Sequence, residues 1–206
     1  MLPRRLPEQK LSALILIDAA AAAAVFAIAL LSARDAGTIP SRARIAFTPA
    51  FFTAASLGYF MLIETRSARY ALAAFTIGLL TVYFIQLRKA LHPFIPLTLV
   101  EFAHLSYAMH VISMFLTFAF TFGITSYLHI WSPILALALG LLGGIVALET
   151  FRGNGVASAA IGLLAAELQA SLAFLPTSYM VNAAVAIILF VLSLHVFKHV
   201  LTGLAD

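Results

Sequence analysis

The sequence predicts an all-α membrane protein: a bundle of about seven transmembrane helices forming one domain over residues 1–206, with no soluble domain. Three observations predict it. Of 206 residues, 63% are hydrophobic and only 10% charged, with a mean hydropathy of +1.06, whereas roughly a quarter of the residues in a soluble domain are charged. The apolar residues gather into runs of the ~20 residues needed to cross a ~30 Å hydrocarbon core. Between the runs lie short stretches holding most of the Arg and Lys residues with scattered Pro and Gly.

The first run, Leu11–Leu31, follows a start rich in Arg4, Arg5 and Lys10. It resembles a secretory signal in outline, but a signal core has only 7–15 apolar residues, so we read it as a retained span. Its stretch Ala19–Ala24 offers a smooth surface to a neighbour. The longest connection, Ser32–Arg44, has 13 residues and cannot fold alone. Spans follow at Ile45–Ile63, Tyr70–Leu87, Ile95–Tyr127, Ser132–Glu149, Val156–Leu175 and Ser178–Val200. The fourth would be ~50 Å long as one helix, yet nothing near its middle offers a turn, so one long tilted helix is expected. Should one run fail to cross, the count is six.

Seven spans place the termini on opposite sides. One side then carries Arg4, Arg5, Lys10, Arg66 and Arg69, the other Arg34, Arg42, Arg44, Arg88, Lys89, Arg152 and Lys198. Counts so similar leave the orientation open.

Two stretches echo each other: LGYFMLIETR at Leu57–Arg66 and LGGIVALETF at Leu142–Phe151, followed by IGLL at Ile77–Leu80 and Ile161–Leu164. A duplication of spans two to four as five to seven would be inverted, because three is odd, and inverted repeats are a transporter architecture. Chance matching of Leu, Ala, Ile and Gly is the competing explanation. Packing surfaces are marked by small residues spaced by four, Ala136, Gly140 and Gly144 on span five and Ser158, Gly162, Ala166 and Ala170 on span six. Such ridges let helix backbones approach where lipid removes the hydrophobic drive, either within the chain or between copies of a homo-oligomer.

Ionisable residues inside spans are expensive and mark function. Glu167 sits near the middle of span six beside Gln169, with no charge on its own helix to pair with. Glu101 and His104 have the Glu-x-x-His spacing that presents a carboxylate and an imidazole to one metal, with Glu64, Glu149 and Glu167 as further donors. His110 falls about half a turn away from that pair. His195 and His199 are four apart, a spacing that chelates a metal or, with a ligand from another helix, a haem; the same residues near a helix end also offset its dipole, beside Lys198. Asp18 lies two turns into span one and faces either the bundle or the interface. Lys198 with Glu101 could suggest a retinal Schiff base, but span six supplies only Phe174 and the lone Trp131 is in a loop, too few rings for such a pocket. The loop Arg88–Pro93 could hold an anionic headgroup or simply anchor the topology.

The chain has no cysteine, which removes disulfides and thiolate chemistry. The twelve basic residues are scattered rather than gathered in a stripe, so lipid and not nucleic acid is the partner implied. No catalytic fingerprint occurs, which points away from an enzyme, and no cofactor is named by any motif.

The stretch IGLLAAELQASLAFLPTSYMVNAAVAIILFVLSLHVFKHVL, Ile161–Leu201, resembles the last two helices of a family of uncharacterised bacterial polytopic integral membrane proteins. The resemblance covers about a fifth of the chain. It implies a bacterial cytoplasmic (inner) membrane location and carries no activity. The expectation from the residues is a transporter or channel for a small solute, ion or proton, with Glu167, Glu101 and His104 lining the pathway. A scaffold or assembly subunit of a larger membrane complex is the alternative, and a metal or haem protein the second.

Overall fold

The computed structural model describes residues 8–33, 39–91, 97–128, 132–151 and 153–203. Arg4, Arg5, Arg34, His92, Pro93, Trp131 and Arg152 lie outside them. The described residues form seven helices and no strand: α1 (Glu8–Ser32), α2 (Ile39–Phe60), α3 (Arg66–Ala90), α4 (Leu97–Leu128), α5 (Ser132–Thr150), α6 (Gly155–Leu172) and α7 (Tyr179–Gly203). Five stretches, Arg66–Ala90, Glu101–Tyr127, Pro133–Thr150, Gly155–Leu172 and Tyr179–Leu201, are long and apolar enough to cross a membrane, and Leu16–Ser32 is a shorter apolar helix. Large apolar side chains such as Leu16, Ile77, Leu137, Leu163 and Ile188 stand exposed. That outer surface suits a hydrocarbon solvent rather than water.

The largest boundary difference from the sequence reading is at the start of α2. Residues 39–44, expected in a loop, are the opening turns of α2. Pro40 stands in the first turn, where its missing N–H costs nothing, and Arg42 and Arg44 interrupt the apolar run without interrupting the helix. The fourth run is one continuous 32-residue helix, α4.

The chain divides into two compact units, residues 1–106 and 107–206. In the first, α1 packs along α2 and α2 against α3. Ala29 of α1 and Ala33 just after it are fully buried, whereas Ala19, Ala20, Ala23 and Ala24 are exposed. Within α2, Pro49 has no N–H, which orphans the carbonyl of Ile45 one turn earlier. The hydroxyl of Tyr83 on α3 donates to that oxygen at 2.7 Å, from a side chain with no exposed surface and with its ring 5.1 Å from that of Phe102. Losing this donor leaves a buried carbonyl unpaired, at a cost of about 1–3 kcal/mol. Tyr83→Phe is therefore expected to lower the unfolding midpoint in detergent, and Pro49→Ala, which returns an N–H to Ile45, to remove most of that loss; equal losses in both backgrounds would show that the hydroxyl does not serve the proline gap.

The second unit holds the rest of α4 with α5, α6 and α7. The turn between α5 and α6 is written in four residues. Gly153 adopts φ 94°, which glycine tolerates without strain, and its N–H reaches back to Leu148 O at 2.9 Å, closing α5 in the Schellman manner. Asn154 then caps α6, its side-chain oxygen accepting from Ala157 N at 3.1 Å, one of the free amides of a helix start. At the far end of α6, Asn182 of α7 donates to Leu172 O at 3.0 Å and accepts from Thr177.

The two echoing stretches take different local structures. Glu64 is exposed in the link after α2, while Glu149 stands half-buried in the last turn of α5. Gly78 faces open space, whereas a Cβ on Gly162 would meet Gly140 O at 2.6 Å.

Candidate functional site

Polar groups in the second unit follow one side of α4. His110, Ser113, Thr117, Thr121 and Thr125 recur at intervals of three and four, which keeps them within about a third of the helix circumference over ~22 Å. Each hydroxyl of the stripe donates to a carbonyl of the preceding turn: Ser113 to Met109 at 2.6 Å, Thr117 to Ser113 at 2.7 Å and Thr125 to Thr121 at 2.8 Å. Donation of this kind satisfies the proton within the helix and leaves the oxygen lone pairs able to accept.

At one end of the stripe, His110 Nε2 meets Glu149 Oε2 of α5 at 3.1 Å, with side-chain exposures of 6% and 18%. Both helices belong to the apolar set, so any net charge on the pair sits in a medium that stabilises it poorly. With one proton between them the two groups are together neutral; a second makes the pair cationic, and loss of the first makes it anionic.

Further along, Thr121 meets Gln169 Oε1 of α6 at 3.0 Å, and Gln169 has no exposed surface. Thr121 has one hydroxyl proton and also reaches the carbonyls of Thr117 and Phe118, each at 3.0 Å. Gln169 Nε2 is buried with no hydrogen-bond partner among the described residues. Between the two polar points lies an apolar layer: Met114, Phe118, Leu139, Ile161, Ala165 and Phe190 are all fully buried, with the rings of Phe118 and Phe190 edge to face at 6.4 Å.

The residues singled out in the sequence fall elsewhere. Glu167 is exposed, while Gln169, two residues on, is buried; the packed face of α6 is Ala157, Ser158, Ile161, Gly162, Ala165 and Gln169. Glu101 and His104 are exposed on the part of α4 that belongs to the first unit. Asp18 is half-buried with Oδ1 unpartnered. His195 and His199 are exposed near the end of α7, with His195 Nδ1 3.3 Å from Val191 O. Among the described residues no three His, Asp or Glu side chains converge as a metal site.

The small residues of α5 and α6 meet one another. Gly162 lies against the backbone of Gly140 and Gly144, and Gly140 faces Ala166. Ala136 is buried and Ala170 half-buried. Gly140, Gly144, Ser158, Gly162 and Ala166 also line an open, apolar groove of about 440 Å³ along the same two helices.

In the sequence the members of the pair belong to separate readings, Glu149 among the further metal donors beside Glu101 and His104. His110 had been set aside as facing away from Glu101, and the Ser and Thr of α4 are individually common in helices. The available signal was their shared spacing. No protein-family model matches the chain, and comparison with curated proteins and with solved structures finds no match.

Proposed function

We propose that the chain is an integral protein of a bacterial inner membrane, with α1 and α2 completing seven spans, and that it moves protons or small ions through the α4–α7 unit. The observation that carries this reading is the His110–Glu149 pair at 3.1 Å, held between two helices long and apolar enough to cross a membrane. Buried ionisable pairs of this kind are costly to keep in lipid and characterise proton and ion pathways. The hydroxyl stripe of α4 continues from the pair, and the apolar layer around Phe118 and Phe190 closes the way at rest, as hydrophobic constrictions do in gated pores. This pathway replaces the one anticipated through Glu167, Glu101 and His104, whose side chains are exposed.

Flux measurements on the purified chain in liposomes loaded with pH-, Na⁺- or K⁺-sensitive dyes test the reading. Wild type is expected to dissipate at least one gradient faster than empty liposomes. Glu149→Gln and His110→Ala are expected to lose that flux while Glu167→Gln retains it. No flux of any ion, together with purification in fixed stoichiometry with other membrane proteins, would replace this reading with that of an assembly subunit.

A further inference from the structure

Six ionisable groups of the second unit gather at the end where α5 turns into α6, while Glu167, Tyr127 and Tyr179 lie toward the other end. Tyr107 and His110 are one turn apart on α4, Glu149 is in the last turn of α5, and His195, Lys198 and His199 lie near the end of α7. The opening turns of α6, from Gly155, bring no ionisable residue. These groups grade from buried to exposed: His110 is 5% exposed, Tyr107 is intermediate and His195 is exposed. Tyr107 links the extremes. Its ring stands edge to face with that of His195, centroids 6.5 Å apart at 71°, and its hydroxyl is buried with no hydrogen-bond partner among the described residues.

A group that takes protons from water near neutrality is best supplied by an exposed imidazole, whose ordinary pKa is about 6.5. A hydroxyl can accept one proton as it donates another. We propose that His195 is the proton port of the His110–Glu149 pair, loading it by way of Tyr107 from the membrane face at which α5 ends. In the loading step, His195 protonated from bulk water passes its ring proton to Tyr107 Oη as that hydroxyl releases its own to the pair. His195 returns to neutral imidazole, Tyr107 remains a phenol, and the pair gains one proton and one positive charge. The inference rests on the transport reading and adds to it both the proton as the species handled and the side from which it enters.

The test is proton uptake into liposomes carrying an internal pH dye, with valinomycin and K⁺ clamping the membrane potential, after an acid step outside. His195→Ala is expected to slow uptake by about tenfold or more, the scale of a lost proton-transfer group, and millimolar imidazole added outside to restore it. Tyr107→Phe is expected to slow uptake without imidazole rescue, and His110→Ala and Glu149→Gln to abolish it. His199→Ala serves as the control and is expected to match wild type. Uptake by His195→Ala as fast as wild type, or a loss that imidazole does not repair, overturns the port. Ion flux without proton uptake in the wild-type protein overturns the port and leaves the transport reading standing; no flux of any kind overturns both.

Discussion

Placing one methyl group on Gly162 is expected to part α5 from α6. A Cβ there would stand 2.6 Å from Gly140 O and 3.2 and 3.3 Å from the Cα and N of Gly144. These are backbone atoms of a facing helix, which cannot swing aside as the end of a side chain can. Alanine in place of glycine gains about 1 kcal/mol of helix propensity, but forced separation of a packed pair costs about 1–3 kcal/mol, and more where backbone must move. Overpacking therefore wins at Gly162. At Gly144 the nearest atoms are 3.5 and 3.8 Å away, and at Gly78 none lies within 4 Å, so propensity decides and both alanine variants are expected to be neutral or slightly more stable. Gly140 falls between, at 3.0 Å from Gly162 O and 3.1 Å from Ala166 Cβ. Thermal unfolding in detergent, followed by circular dichroism, should rank the variants with Gly162→Ala least stable, Gly140→Ala next, and Gly144→Ala and Gly78→Ala at wild type or above. A flat ranking would mean that the two helices do not meet through these glycines.

The same contact explains what could be read from the chain and what could not. Helices announce themselves by the length of their apolar runs, and the long fourth run keeps its helix because no Pro or Gly breaks it. The start of α2 was hidden because Arg42 and Arg44 read as loop, although charge at a helix start does not stop the helix. Which face of a helix packs is a subtler matter. Small residues of α6 were grouped at intervals of four, as Ser158, Gly162, Ala166 and Ala170, but a step of four advances about 40° round the helix each time. Alternating steps of four and three hold one face, and Ser158, Gly162, Ala165 and Gln169, spaced in that way, are all among the buried residues. On that count Gln169 shares the face of Gly162 and Glu167 lies about 140° away. Ser158, Gly162 and Ala166 at intervals of four do meet Gly140 and Gly144 of α5, and the step of three adds Ala165 and Gln169 to the buried side. The pairing of His110 with Glu149 was not recoverable, because it depends on how far α5 is turned and raised against α4, and two apolar helices carry little in their sequences to set that register. The stripe from His110 to Thr125 lay between: each Ser or Thr is unremarkable alone, and only the shared interval marks them.

Replacing both members of the His110–Glu149 pair by apolar residues is expected to restore stability that either single replacement loses. In Glu149→Leu the imidazole stays buried without its carboxylate, and in His110→Phe the carboxylate stays without its imidazole. Each variant leaves one member of the pair without the other, at a cost of about 3–5 kcal/mol for a fully buried pair and less here, where Glu149 keeps 18% of its side chain exposed. The double variant His110→Phe with Glu149→Leu removes both charges together, and substitution of that kind is neutral or stabilising by about 1–4 kcal/mol when the volume is filled. Unfolding of wild type, both singles and the double completes the cycle, with strong non-additivity expected because the two groups touch. The flux assay on the same four proteins supplies the second half of the test. A double variant as stable as wild type and without flux places the pair among groups that a membrane protein retains for proton exchange, since the fold itself does not need them. A double variant that loses the sum of the two single losses shows that the two side chains act independently of each other, and the pathway would then have to run elsewhere.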